Sequence, residues 1–537
     1  MTIERQFQPW SWRARLLKAG GWRVWLLLLA SGAFSALAMA PLNVWPALIP
    51  GLTVLIWCLD GSRHQTHTLQ SAFWRGYLFG MGYFIAGTFW VGFAFLNRGG
   101  AFWMLIPLAL PAFASLLAVF WGFAGMLYSK LSQRSEWRIL VFAASFALFE
   151  WLRGHIFSGL PWNLPGYTWT AGGAISQSAS WFGIYGLTFL TLFALASPAV
   201  AISRHMKSRR LMPPMAGIGL LLLVFLAGMM RLGSAEIPDH EGLRFRIVHS
   251  SITQAEKWGP NDFEARTRDR YLRLTQAPGL DAVTHVLWPE GALPYFMLED
   301  GETLRMIGND LQNGQVLLAG INRRAGIGRD TTYHNSLAVL RYAENGAPRV
   351  DALYDKVRLV PFGETIPLAW LISAIGFEDF ARLQFAPGPG PAVSNVAGAP
   401  SMMPLICYEA IFPEFVRSAP ERPGWLYNLS NDAWFGDTSG PWQHLNQTRY
   451  RAIETGLPIL RVASRGYSGA IDPLGRMPLR IAPDDEGAYD TGLPLPLAST
   501  LYWRYGDLPF WFITLSILGL ITAQRFRFMR KQKRSQP

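Results

Sequence analysis

The chain has very little cysteine and few charged residues for its length. Among 537 residues it contains two cysteines, Cys58 and Cys407, and only 16% of the residues are charged. Cys58 lies in an apolar stretch typical of a membrane segment, which makes it a poor disulfide partner for a residue of a soluble domain. A framework of disulfides is therefore excluded, and we expect Cys407 to be an unpaired thiol.

Several common functional motifs are absent from the sequence. There is no glycine-rich phosphate loop, no CxxC pair and no HExxH run. Asp432 and His444 are close in sequence, but no second histidine or cysteine gives a convincing ligand spacing for a metal. We therefore expect neither a metal ion nor a cofactor.

Long apolar runs dominate the chain up to about residue 232 and recur near its C-terminus. Each is close to the roughly 20 apolar residues that cross a bilayer. The first run is not expected to be a cleaved signal peptide, because Pro41 directly follows Ala38-Met39-Ala40. The sequence predicts eight spans, at about residues 24–40, 42–58, 76–96, 104–128, 139–152, 180–202, 211–232 and 508–524.

The net charge of +12 comes from basic clusters that flank these runs. The clusters lie at residues 13–23, 130–138, 204–210 and 525–534, which fits the positive-inside rule better than a nucleic-acid groove. Placing them in the cytoplasm puts both termini there and the large polar region on the other side. We predict a multi-pass protein of a bacterial inner membrane with its catalytic domain in the periplasm, and no nucleic-acid partner.

The sequence predicts a polytopic α-helical membrane domain and a separate α/β domain. In the second region, strand-like runs at 245–248, 283–287, 316–319, 336–340, 352–354, 402–406, 425–429 and 459–463 alternate with helical stretches at 262–276, 301–312 and 441–455. The predicted divisions are residues 1–235 (seven spans), 240–495 (catalytic), 505–526 (last span) and 527–537 (basic cytoplasmic tail).

Three reactive side chains follow strand-like runs of the α/β region. Glu290, Lys356 and Cys407 come where such runs end, and α/β sites assemble at these ends. A free thiol is mostly protonated near neutral pH, so a nucleophilic cysteine needs a base, and Glu290 suits that role. Lys356 and a backbone N–H after Cys407 can stabilise an oxyanion. The sequence thus predicts an acyl-transfer site.

Other interpretations of these residues remain open. Glu290 could be a solvated turn residue, Lys356 an exposed strand end and Cys407 a small buried side chain. Glu364 and Glu409 are further carboxylates that could orient the lysine or move a proton. In the membrane region, Glu150 and Arg153 fit either an ion pair at a helix end or a contact with a lipid headgroup or the outer domain.

An apolar segment at 365–377 follows Glu364 and is too short to span a bilayer. Further apolar residues follow Cys407, namely Ile411, Phe412 and Phe415. Apolar segments around a reactive site suit a lip that enters the outer leaflet and admits acyl chains. The alternative is a buried loop that packs on the core.

Several short motifs of the α/β region form a recognisable set. They are Trp288-Pro289-Glu290, Tyr354-Asp355-Lys356, Val360-Pro361-Phe362-Gly363-Glu364, Ile406-Cys407-Tyr408-Glu409, Asn431-Asp432-Ala433-Trp434-Phe435-Gly436 and Gly440-Pro441-Trp442-Gln443-His444. Together they resemble the nitrilase, or carbon–nitrogen hydrolase, superfamily, and within it the apolipoprotein N-acyltransferase family. Glu150-Trp151-Leu152-Arg153 in the membrane region also fits this resemblance.

The resemblance implies an αββα sandwich and a two-step acyl transfer. Cys407 would take the sn-1 acyl chain of a phospholipid, typically phosphatidylethanolamine, as a thioester. The α-amino group of a diacylglyceryl-cysteine at an apolipoprotein N-terminus would then accept it. The resemblance makes Glu290 the base and Lys356 its oxyanion-stabilising partner. It adds supporting roles for Glu364, Glu409 and Tyr408, and places Trp258 and Trp434 near the substrate.

Two other functions fit parts of the pattern. A membrane-anchored nitrilase-type amidase would use the same three residues to pass the acyl group of a small amide to water. A transporter with an outer binding domain is disfavoured, because the spans lack an evident inverted repeat or paired broken helices. We expect the protein to be a monomer.

Overall fold

The computed structural model forms two compact units, Met1–Ser234 with Arg504–Pro537, and Ala235–Trp503. The residues that it describes are 9–97, 100–133, 135–202, 208–233, 236–253, 256, 262–311, 314–343, 347–365 and 384–534.

The first unit is helical. Its helices are apolar along most of their length, as expected for segments that meet lipid. They are α1 (Pro9–Lys18), α2 (Trp22–Ser35), α3 (Leu48–Gly61), α4 (Thr68–Gly87), α5 (Val91–Asn97), α6 (Ile106–Leu131), α7 (Arg138–His155), α8 (Ala179–Ala196), α9 (Pro198–Ala201), α10 (Met212–Gly233) and the C-terminal helix Leu508–Arg534.

Five helical stretches of this unit are long and apolar enough to cross a membrane, and two bent helix pairs raise that number to seven among the described residues. The remaining predicted span, 139–152, lies within α7. This helix carries three charged residues, Arg138, Glu150 and Arg153, and is not one of the seven. The predicted polytopic helical domain is confirmed, whereas its count of eight spans stays a prediction.

The charges of α7 are paired inside the helical unit. Arg138 donates to Asp60 at 2.7 Å, and Arg153 donates to Glu150, which also accepts from the indole of Trp121. Glu150 is completely buried and Arg153 is 2% exposed. Because an unpaired charge at membrane depth is costly, this pairing favours a structural role for Glu150 and Arg153.

The second unit contains two mixed sheets. The first has the order β11-β1-β2-β3-β4-β5, and the second the order β10-β9-β8-β7-β6. The neighbours β1, β2 and β3 are parallel, as are β6, β7 and β8. The strands are β1 (Phe245–His249), β2 (His285–Trp288), β3 (Val316–Ala325), β4 (Thr332–Tyr342), β5 (Pro348–Asp355), β6 (Met402–Ile406), β7 (Trp425–Ser430), β8 (Ile459–Ala463), β9 (Ser468–Ile471), β10 (Leu479–Ile481) and β11 (Gly487–Thr491).

The two sheets pack against each other through one apolar core. Ile247 and Leu318 of the first sheet share a buried cluster with Ile406 and Leu429 of the second. Successive strand residues point to opposite faces, so Leu317, next to Leu318, belongs to a different cluster on the outer face. Each sheet therefore has one face toward the other sheet and one toward helices.

Helices cover both outer faces. Tyr271 of α11 (Phe263–Thr275) and Ile307 of α12 (Gly301–Asp310) pack on the first sheet. Thr448 of α13 (Gly440–Thr455) contacts β7 and β8 in the second. A short helix, α14 (Leu501–Tyr505), follows. The αββα sandwich implied by the resemblance is confirmed.

Candidate functional site

Glu290, Lys356 and Glu364 meet at one edge of the first sheet. Glu290 follows β2 and Lys356 follows β5, and β5 runs parallel to β3 because each is antiparallel to β4. The Lys356 Nζ atom lies 3.1 Å from Glu290 Oε1 and 2.8 Å from Glu364 Oε1. All three side chains are largely buried, with Lys356 1% and Glu290 7% exposed. Neither the solvated-turn nor the exposed-strand-end interpretation fits this geometry.

The two carboxylates keep the buried lysine charged. Burial alone would lower the pKa of Lys356, but Glu290 and Glu364 outweigh it and raise that pKa above its usual value. An ammonium fixed in this way can stabilise negative charge on a neighbouring oxygen without reorganising.

Glycine at position 320 allows Glu290 to lie against β3. A Cβ atom at Gly320 would be 2.3 Å from the carbonyl oxygen of Pro289 and 2.6 Å from the Cα of Glu290. These distances are too short for any side chain. The Glu290 turn therefore packs directly on the β3 backbone.

Asn335 of β4 joins the two carboxylates. Its side-chain Nδ2 atom donates to Glu290 Oε1 at 2.7 Å and to Glu364 Oε1 at 2.9 Å. Its backbone carbonyl oxygen accepts from the backbone N–H of Lys356 at 2.8 Å. Sequence reasoning missed this residue. The available signal was the polar trio His334-Asn335-Ser336, which directly precedes the apolar run Leu337-Ala338-Val339-Leu340.

The second sheet contributes to the position of Glu290. The backbone N–H of Asn431, which directly follows β7, donates to Glu290 Oε2 at 2.8 Å. The carboxylate of Glu290 is thus held by one lysine, one side-chain amide and one backbone amide from three separate segments. Its orientation is fixed before any substrate arrives.

Cys407 occupies an unusual backbone position at the end of β6. Its φ angle is +48°, a left-handed conformation that side chains other than glycine rarely adopt, and it begins a short 3₁₀ helix, Cys407–Ile411. Burial raises the pKa of the thiol, and Glu290 raises it further while Lys356 lowers it. The resting thiol is therefore protonated and needs a base, and both Glu290 and Lys356 are near enough to influence it.

Glu409 connects the lysine segment with the cysteine turn. Its Oε1 accepts from the backbone N–H groups of Val357 at 2.7 Å and Arg358 at 3.2 Å, and its Oε2 accepts from Ile406 N at 2.8 Å. Burial raises the pKa of Glu409 to about 7. These contacts position backbone, whereas Glu364 is the auxiliary carboxylate that contacts the lysine ammonium.

The predicted aromatic site residues fall into different environments. Tyr408 is 9% exposed and stacks edge-on against Phe412 at 5.0 Å. Trp434 is 38% exposed in a short 3₁₀ helix, Asp432–Phe435. Trp258 and residues 366–377 of the apolar segment lie outside the described residues.

A second buried polar network lies behind Cys407. Asp432 accepts from Arg461 Nη2 at 2.6 Å and is 2.9 Å from His444 Nδ1. His444 Nε2 is 3.1 Å from the carbonyl oxygen of Cys407. The sequence placed Asp432 and His444 close together but gave no sign of Arg461. Among the described residues, no group of three or more His, Cys, Asp or Glu could hold a metal ion, and the absence of a metal stays a prediction.

Comparison with known proteins defines the class first. A carbon-nitrogen hydrolase family model matches residues 265–492, which contain most of the sandwich and its Glu, Lys and Cys side chains. A model of the apolipoprotein N-acyltransferase N-terminal domain matches residues 31–197 of the helical unit. The chain is thus a membrane protein with a carbon–nitrogen hydrolase domain.

Similarity over nearly the full length defines the family. Apolipoprotein N-acyltransferase of Rhodopseudomonas palustris is 37% identical over 95% of this chain and 97% of its own length. The corresponding protein of Caulobacter vibrioides is 41% identical over 93% and 94%. That of Bradyrhizobium diazoefficiens is 37% identical over 95% and 96%. The chain belongs to the apolipoprotein N-acyltransferase family.

Proposed function

We propose that the protein is a phospholipid:apolipoprotein N-acyltransferase of lipoprotein maturation. The observation that carries this proposal is the buried Glu290–Lys356 pair beside the thiol of Cys407, in a chain with helices apolar enough to span a membrane. The names of its relatives supply the reaction type. Cys407, Glu290 and Lys356 are our proposed nucleophile, base and oxyanion partner, the three groups that such a reaction needs.

In the first half-reaction, Glu290 takes the proton of the Cys407 thiol. The sulfur attacks the carbonyl carbon of the sn-1 ester of a phospholipid, and a C–S bond forms. Lys356 and the backbone N–H of Tyr408 stabilise the oxyanion. The C–O bond then breaks, the departing glycerol oxygen receives the proton from Glu290, and a lysophospholipid leaves. The acyl chain remains on Cys407 as a thioester.

In the second half-reaction, the α-amino group of a diacylglyceryl-cysteine attacks the thioester. An amide bond forms, the C–S bond breaks, and the amine gives up a proton through Glu290 so that Cys407 becomes a thiol again. No net proton is gained or lost over the cycle. Glu364 supports Lys356, whereas Glu409 supports the backbone around it.

Lipid access is proposed to involve exposed aromatic residues near the site. Phe362, two residues before Glu364, is 67% exposed at a φ angle of +63°, and Trp434 is 38% exposed. Large exposed side chains of this kind suit a surface that meets acyl chains. We propose that the 365–377 segment extends this surface, and that Trp258 and Tyr408 contribute to substrate binding.

The basic clusters support a proposed orientation in the cell. We propose a bacterial inner-membrane monomer with cytoplasmic termini, the catalytic domain of residues 240–495 in the periplasm, and phosphatidylethanolamine as acyl donor. The basic residues at 204–210 and 525–534 flank the helices on either side of that domain, which supports its export.

The test supplies phosphatidylethanolamine labelled in its sn-1 chain and a diacylglyceryl-cysteine peptide. We expect the label on the α-nitrogen of the peptide, and none on a control peptide whose amine is acetylated. A small-amide hydrolase would leave the phospholipid intact, and a simple lipase would release labelled free fatty acid. Either result would refute the proposal.

A further inference from the structure

His444, Asp432 and Arg461 form a buried cluster that the proposed chemistry does not use. They are 1%, 1% and 0% exposed, respectively, and come from α13, from the turn after β7 and from β8. Burying three ionisable side chains is costly unless each has partners. The three side chains satisfy one another through ion pairs and hydrogen bonds.

The cluster contacts the backbone of the reactive Cys407. His444 Nε2 lies 3.1 Å from the carbonyl oxygen of Cys407. A carbonyl oxygen only accepts hydrogen bonds, so Nε2 is the donor in this contact. The opposite side of the ring faces Asp432, whose Oδ1 is 2.9 Å from Nδ1.

Asp432 is itself rigidly held. Arg461 Nη2 donates to its Oδ2 at 2.6 Å, and the hydroxyl of Ser430 donates to its Oδ1 at 2.7 Å. Gly466 packs against it, since a Cβ atom there would be 2.5 Å from Oδ2. Burial would raise the pKa of Asp432, but Arg461 and His444 outweigh burial and hold that pKa below its usual value, so the carboxylate is ionised. The imidazole ring of His444 therefore has one orientation.

The position of the Cys407 carbonyl fixes the direction of a nearby N–H. The peptide group is planar, so the N–H of Tyr408 points away from the C=O of Cys407 with which it shares that plane. Cys407 also has a strained φ angle of +48°, which needs external contacts to persist. A donor on its carbonyl oxygen supplies such a contact.

We propose that His444 is a positioning residue that aims the backbone N–H of Tyr408 at the acyl oxygen during attack by Cys407. Asp432 and Arg461 act through His444 by holding its ring. This inference rests on the proposed acyl transfer, because only a reaction that forms an oxyanion needs the N–H in that place.

The test compares two variants, His444→Asn and His444→Gln. The amide of glutamine reaches the position of Nε2 and can still donate to Cys407, whereas the shorter asparagine reaches only the position of Nδ1. Both place a neutral amide in the same buried site, so each controls for the other. Two reactions are measured with each: acylation of Cys407 by phosphatidylethanolamine in mixed micelles, and alkylation of Cys407 by iodoacetamide.

Alkylation is displacement at a saturated carbon and forms no oxyanion, so it reports the thiol alone. We expect His444→Asn to reduce the acylation rate on the order of 10²-fold, the effect of losing one oxyanion donor. The KM for phospholipid and the alkylation rate should stay close to wild type, and His444→Gln should recover most of the acylation rate.

Two results would overturn the inference: equal acylation by both variants, or a parallel loss of acylation and alkylation in His444→Asn at an unchanged melting temperature. A lowered melting temperature reveals a variant that does not fold, and Asp432→Asn then repeats the comparison, because it releases the His444 ring. Failure of the wild-type protein to acylate Cys407 would instead refute the proposed function.

Discussion

Glu290 has one carboxylate oxygen on Lys356 and Asn335 and the other on the backbone of Asn431. A buried carboxylate with three hydrogen-bond partners is not a solvated surface charge. The proposed role of Glu290 as a base predicts that its charge, and not merely its shape, is needed.

Replacing Glu290 by glutamine should therefore abolish most of the activity. We expect Glu290→Gln to slow acylation of Cys407 by about 10²- to 10⁴-fold, the usual contribution of a general base. The matched control is Glu299→Gln, which removes an exposed carboxylate paired with Arg324 in the same unit and should change the rate less than twofold. Single-turnover kinetics with phospholipid measure both. Similar rates in the two variants would mean that Glu290 is not the base.

The raised pKa of Glu409 leads us to expect a specific pH dependence of the stability of the folded protein. Burial raises its pKa in the folded protein to about 7, from 4.5 in the unfolded chain. A carboxyl group with a raised folded pKa stabilises the fold below pH 4.5, and this contribution is lost as the pH rises through 7. The stability of the wild type relative to Glu409→Gln should thus fall by on the order of 3 kcal/mol between pH 4.5 and 7. Melting temperatures of both proteins across this range measure it, and a constant difference would contradict it.

At the residue scale, the sequence identified the reactive charged groups but missed some of the side chains that hold them in place. Glu290 and Lys356 are recognisable because each, like Cys407, comes where a strand-like run ends, and Glu364 because it lies a few residues after Lys356. Asn335 and Arg461 lie within strands, and the sequence of a strand does not indicate which residue a polar side chain in it will contact. Their partners come from segments tens of residues away, so only the folded chain reveals them.

At the scale of elements, Gly320 permits the close approach of the Glu290 turn to β3. We expect Gly320→Ala to displace this turn and lower acyl transfer at least tenfold, because the new methyl group would meet backbone atoms at 2.3 and 2.6 Å. The control is Gly301→Ala at the start of α12, where a Cβ meets nothing within 4 Å. Activity assays on the two variants are sufficient. Retained activity in Gly320→Ala would show that β3 does not restrict the Glu290 turn.

The sequence predicted eight of the eleven strands and three helices of the sandwich close to their observed positions. The parallel strands, such as β6 and β7, are buried on both faces and therefore appear as continuous apolar runs. The strands that it missed, β9, β10 and β11, are three to five residues long and antiparallel. β10 and β11 also contain polar residues and are partly exposed, so no apolar period marks them.

At the scale of the whole molecule, the scarcity of cysteine makes the membrane orientation measurable. In a Cys407→Ser background, only the buried Cys58 remains. A cysteine introduced at the exposed Glu241 should react with a membrane-impermeant maleimide in intact spheroplasts, whereas one at the exposed Lys130 should react only after permeabilisation. The reverse pattern would place the catalytic domain in the cytoplasm and contradict the proposed orientation.

The most direct test of the central claim is the mass of Cys407 itself. The purified wild-type protein, incubated with phosphatidylethanolamine in mixed micelles without acceptor peptide, should carry one fatty acyl group on the peptide that contains Cys407. That adduct should disappear when a diacylglyceryl-cysteine peptide is added, and Cys407→Ser should not form a thioester. An unmodified thiol in the wild type, or an adduct that the peptide does not discharge, would contradict acyl transfer through Cys407.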